Sequence, residues 1–130
     1  MKDCIFCQIV TGKSPSYKVY EDDLFFGFLD IYPKSRGHTL LIPKKHYQWV
    51  YDVEEFERYW KTTLKVTKAI QKSQKPYFIQ YLTFGLDVPH AHIHIIPYYK
   101  ELSPIEAVAI KEDLSKQELT EIASKIIQSL

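Results

Sequence analysis

The chain has 130 residues, 45% of them hydrophobic, and sets 17 Lys and Arg against 16 Asp and Glu for a formal charge of +1. So even a balance gives no field for steering nucleic acid or anionic lipid, and the composition is that of a folded domain, not a disordered one. No apolar run approaches the ~20 residues of a membrane span and no signal peptide opens the chain, so one cytoplasmic domain over 1–130 is expected, with neither membrane nor nucleic acid as partner.

Lys18–Glu21 and Leu24–Leu29 read as strands joined at Asp22-Asp23 in a hairpin. Ile31–Gly37 is a loop punctuated by Pro33 and Gly37, and His38–Ile42 is a third strand ended by Pro43. Lys44-Lys45 is a solvated basic pair. Asp52 and Glu55 have the spacing of an N-cap and its reciprocal partner. They open a helix from Val53 to about Lys75, with Phe56, Trp60, Leu64 (or Thr63), Thr67 and Ile70 on its apolar face. Tyr77–Thr83 is a fourth strand and Ala91–Ile96 a fifth. From Tyr98-Tyr99 no motif is legible until Ser115-Lys-Gln-Glu118, a capping box that starts a last helix to about Ser129 with Ile122, Ile126 and Ile127 as its stripe. Strands grouped about a helix, without regular βαβ alternation, predict an α+β fold: a mainly antiparallel five-stranded sheet, a long central helix and a C-terminal helix.

Chemistry concentrates in Val88-Pro-His-Ala-His-Ile-His-Ile-Ile-Pro97. On a strand, His90, His92 and His94 would share one face, with Ala91, Ile93 and Ile95 on the other. Three ligands spread ~13 Å along a flat strand converge poorly on one ion, so a division of labour among them is preferred. Neutral imidazole can attack phosphorus and then be displaced by water, which suits transfer of a phosphate-bearing group. Cys4-Ile-Phe-Cys7 is open between half of a zinc site, completed by two of His38, His46 and the triplet, a thiol redox pair, and two core cysteines. The redox pair lacks the expected βαβ setting.

The run His90-Ala-His92-Ile-His94-Ile-Ile resembles the signature of the histidine-triad (HIT) nucleotide hydrolases and transferases. Cys4-Ile-Phe-Cys7-Gln-Ile-Val, Val19-Tyr-Glu-Asp22, Phe28-Leu-Asp30-Ile-Tyr-Pro33 and Arg36–His46 are similar to bacterial HIT proteins in the same order. The resemblance implies that His92 attacks the α-phosphorus of a purine nucleotide, such as a dinucleoside polyphosphate or nucleoside phosphoramidate, to form a nucleotidyl-histidine. His94 would stabilise phosphate charge. Asp30 would bind ribose hydroxyls, and Ile5, Phe6, Ile9, Phe28 and Ile31 would wall the base. Cys4, Cys7, His46 and His90 would hold a structural zinc, with His38 structural. A homodimer is implied through the long helix and fourth strand. The chain departs from the family where a Gln contacts the phosphate or leaving group, since Leu86 stands there, and where an Asn precedes that loop. A zinc-stabilised nucleotide-binding or interaction module with little turnover is therefore the alternative to an enzyme.

Overall fold

Every residue of β2 (Phe25–Leu29) and β3 (Thr39–Pro43) is buried, a pattern that requires a sheet covered on both faces. The computed structural model describes residues 3–130 and supplies both covers. Phe25 and Leu29 of β2 and Leu41 of β3 enter one core. Phe26, Phe28, Leu40 and Ile42 alternate into the other.

The larger core is closed by two helices, α2 (Phe56–Gln74) and α4 (Lys116–Gln128). The smaller is closed by Phe6 of α1 (Ile5–Val10). With β1 (Lys18–Glu21), β4 (Phe78–Leu82) and β5 (Ile93–Tyr98), the sheet runs β1-β2-β3-β5-β4, every neighbouring pair antiparallel. The fold is α+β, as expected. Residue His94 of β5 pairs with Leu40 and with Leu82, in the middle of the sheet.

Several expectations need correction. Asp52 does not cap α2; it lies in a one-turn 3-10 helix, and Glu55 precedes α2 without a side-chain cap bond. Burial of Val50 and Val53 decides this, because the chain must turn in and out before the helix can start. The buried face of α2 is Tyr59, Thr63, Val66 and Ile70, while Phe56 (43% exposed) and Leu64 (51%) face outward. Threonine can line that core because Thr63 Oγ1 donates to the Tyr59 carbonyl and Thr67 Oγ1 to that of Thr63. In α4 the capping box forms as expected, but Leu119 replaces Ile127 on the buried face. Two short helices went unforeseen: α1, and α3 (Pro104–Ala107), whose Ser103–Glu106 capping box was legible in the sequence.

The fifth strand begins at Ile93, so His90 and His92 precede it and only His94 is within it. The alternation nevertheless holds: Ala91, Ile93 and Ile95 all pack in the larger core. Among the described residues no helix is long and apolar enough to cross a membrane.

Candidate functional site

Cys4 is the N-cap of α1 and its Sγ accepts the Cys7 N–H at 3.5 Å, so one helical turn aims both sulfurs the same way. His46 follows β3 and His90 precedes β5. Cys4 Sγ lies 3.4 Å and Cys7 Sγ 3.5 Å from His90 Nδ1, Cys7 Sγ is 3.4 Å from His46 Nδ1, and the two Nδ1 atoms are 3.1 Å apart. Tetrahedral zinc with ordinary bond lengths separates S from N by ~3.6 Å and N from N by ~3.3 Å. The four groups therefore fit a closed tetrahedral centre. The His90 tautomer agrees, since Nε2–H donates to the Pro43 carbonyl at 2.8 Å and leaves Nδ1 with its lone pair. Burial lowers His90 to about 4 and pushes the Cys7 thiol up. A cation there would reverse the thiol's preference.

Phe6 connects this cluster to the next. Its ring edge meets His90 at 5.9 Å and His92 at 5.1 Å between centroids. His92 Nδ1–H donates to the His90 carbonyl at 2.8 Å, which fixes the tautomer and leaves Nε2 as the free lone pair. Thr83 Oγ1 donates to the His92 carbonyl at 2.7 Å and anchors that backbone. Burial lowers the His92 pKa; the backbone bond and the Asp30 and Asp87 charges act against it without cancelling it. The ring is neutral at pH 7.

His94 is set by a relay. The Lys34 N–H donates to His38 Nδ1 at 2.9 Å, so His38 carries its proton on Nε2. That proton faces His94 Nδ1 at 2.9 Å. His94 must then carry its own on Nε2, and this buried atom has no partner among the described residues. Burial lowers His94 to about 4 and His38 well below its ordinary value, so both rings are neutral donors. Asp30, His38 and His94 also lie close enough together to suggest a second metal group. The proton on His38 Nε2 argues instead for hydrogen bonding.

A cavity of about 600 Å³ opens beside these rings. Every residue expected to touch substrate lines it: His92 and His94, Asp30, and Ile5, Phe6, Ile9, Phe28 and Ile31. Asp30 Oδ1 accepts the Tyr32 N–H at 2.8 Å, and burial raises its pKa. Sequence reasoning missed Tyr32, Lys34, Phe84 and Asp87, which also line the cavity. They stand in loops where no periodicity marks a face. It also gave His38 only a general structural place. Leu86 is 73% exposed, outside the cavity wall. Gly85 lets its loop close, since a Cβ there would come 2.5 Å from the Gln48 carbonyl oxygen.

Comparison with known proteins bears on this geometry. The HIT domain matches residues 11–101. The protein hit of Bacillus subtilis is 37% identical over 138 aligned positions, spanning 99% of this chain and 95% of that one. An adenosine 5'-monophosphoramidase of Saccharomyces cerevisiae is 32% identical over 77% of this chain and 65% of its own length. Among solved structures, a HIT-like protein from Bartonella henselae superposes with a TM-score of 0.85 at 31% identity, covering 100% of this chain and 98% of that one. A zinc-bound histidine triad family protein from Mycobacterium smegmatis gives 0.81 at 26% identity, covering 98% and 93%.

Proposed function

The chain belongs to the HIT-domain family, and on that premise we propose that it is a single-domain nucleotide hydrolase or nucleotidyl transferase acting at the α-phosphate of a purine nucleotide. The observation that carries this is the His92 tautomer: Nδ1–H is spent on the His90 carbonyl, and Nε2 is free in a ring that also lines the cavity. Nε2 attacks the α-phosphorus and the leaving group departs. Water then attacks the nucleotidyl-histidine, releasing the nucleoside monophosphate and returning the electron pair to Nε2. The orphan His94 Nε2–H donates to a phosphate oxygen as its charge develops, a preorganised contact that costs no reorganisation. Asp30 receives the ribose hydroxyls, and the base lies against Ile5, Phe6, Ile9, Phe28 and Ile31. The phosphoramidase activity of the yeast relative supports the reaction class.

Cys4, Cys7, His46 and His90 hold a structural zinc; the zinc-bound mycobacterial relative supports that metal. When bound, it ties α1 and the end of β3 to the segment carrying His92 and supplies no reacting group. A homodimer would cover the edge strand β4, where Tyr81 is exposed, and Leu64 of α2. The likeness and the neutral, charge-balanced composition are consistent with a cytoplasmic protein. The alternative, a nucleotide-binding module with little turnover, is favoured by Leu86, which offers no donor to a leaving group.

Incubation with diadenosine tetraphosphate and with adenosine phosphoramidate tests the reading. AMP should accumulate with the wild type and fall by on the order of 10⁴-fold or more with His92→Ala. Tight AMP binding with no His92-dependent product from either substrate would establish the binding module instead.

A further inference from the structure

A second cavity, of about 530 Å³, borders the first, and Lys34 lines both. It forms where residues 97–112 fold back on the loop before His38. Ser35 Oγ donates to the Pro97 carbonyl at 2.6 Å, Tyr99 OH to that of Arg36 at 2.6 Å, and the Glu112 N–H to that of Pro33 at 2.7 Å. The HIT domain match ends at residue 101, so Ile110, Lys111 and Glu112 of this wall lie beyond it.

Charge is distributed unevenly over the lining. Lys34 stands on the shared wall, near enough to act on His94 and Asp30. Lys111 lines the second cavity, and its Nζ lies 5.1 Å from the ring centroid of Tyr32, which lines the first. Arg36 is already paired with Glu118 at 2.9 Å. Lys34 and Lys111 thus place cations where the two cavities meet. The rest of the second wall mixes apolar groups (Pro97, Leu102, Ile110) with the carboxylates of Glu101 and Glu112. Such a lining suits a body that is flat and apolar, carries hydroxyl or amino donors, and is anionic at one end. A nucleoside phosphate has that form.

We propose that this second cavity is the leaving-group subsite, and that the substrate it fits is a dinucleoside polyphosphate whose bridging phosphates cross Lys34 and Lys111. The proposal rests on the α-phosphate reading above. In the first step the N–P bond forms from His92 Nε2 as the bridging P–O bond breaks, and the electron pair leaves on an oxygen of the departing phosphate. That anion needs cations beside it and no proton. An amine leaving group would need a proton as it left, and Leu86 has none to give. In the second step water forms the new O–P bond, its surplus proton goes to solvent, and the pair returns to Nε2.

The test is calorimetric, with AMP and a methylene-bridged, non-hydrolysable diadenosine tetraphosphate as ligands of the full chain. The wild type should bind the dinucleotide at least about tenfold more tightly than AMP, the size of one charge-assisted contact to phosphate. Lys111→Ala and the cavity-filling Ile110→Trp should each bring it down to the AMP level while AMP affinity stays within about twofold, which also certifies the fold. Equal affinity for the two ligands in the wild type, or variants that change neither ligand or both alike, overturns the subsite. Turnover is read separately: a dinucleotide preference without His92-dependent product defeats the catalytic reading and leaves the subsite standing.

Discussion

His38 Nε2 stands 2.9 Å from His94 Nδ1, and because the Lys34 N–H occupies the far nitrogen of His38, the proton between the rings belongs to His38. One backbone amide thereby dictates the tautomer of a ring two hydrogen bonds away. His94 is left presenting an N–H to the cavity, without passing through a charged state.

Replacing His94 with Ala removes that donor and should lower kcat by about 10²–10³-fold. His38→Phe keeps bulk but frees the His94 tautomer, and should cost less, on the order of tenfold. The distinguishing readout is the long-range ¹H–¹⁵N spectrum of His94. It should report the Nε2–H form in the wild type and a mixture in His38→Phe. An unchanged spectrum would show that the relay does not set the tautomer.

Metal content is the next expectation. The purified protein should carry one zinc per chain, lost in Cys7→Ser and in His46→Ala. Chelation should lower Tm by roughly 10 °C, since the cation closes three separate segments and its binding energy is folding energy. A Tm indifferent to chelator would argue that the four side chains hold together without metal.

Stability should fall on acidification, and the sign follows from the buried rings. His94, at about 4, and His38, well below its ordinary value, bind fewer protons folded than unfolded. Their contribution is complete above the unfolded histidine pKa of ~6.5 and is lost as pH falls from there toward 4. Each ring adds about 1.4 kcal/mol per pH unit to the slope in that window. Urea melts at pH 7, 6 and 5 should show it in the wild type and show it reduced in His38→Phe.

Asp30 should set sugar preference. With the carboxylate in place, a ribonucleotide should be preferred over its 2′-deoxy analogue by about tenfold or more in kcat/KM. Asp30→Asn should shrink that ratio while leaving the deoxy substrate nearly unaffected. A ratio that survives the substitution would remove Asp30 from the ribose contact.

Much of the site was legible because the chemistry rests on residue types with strong local patterns. The alternation of His with Ala91, Ile93 and Ile95 marked which side chains enter the core, and all three do. The apolar wall was legible only through resemblance, since Ile31 is 56% exposed and Phe28 is buried, and no periodicity joins them. In α2 the stripe slipped to Tyr59, Thr63 and Val66 because threonines that bond their own helix pack like apolar residues. Lys34 and Tyr32 escaped notice in a loop whose backbone, not its sequence pattern, aims them.

The sequence alone determined the α+β class, the separation of imidazoles from the core, and the set of groups able to bind a metal or attack phosphorus. Those follow from local periodicity and residue chemistry. Only tertiary structure decided what each histidine does. The bonds that fix their tautomers, from His90 to Pro43 and from His38 to His94, span 47 and 56 residues. An imidazole has two nearly equivalent nitrogens, and which is donor and which is lone pair depends on partners that only the folded chain brings within 3 Å.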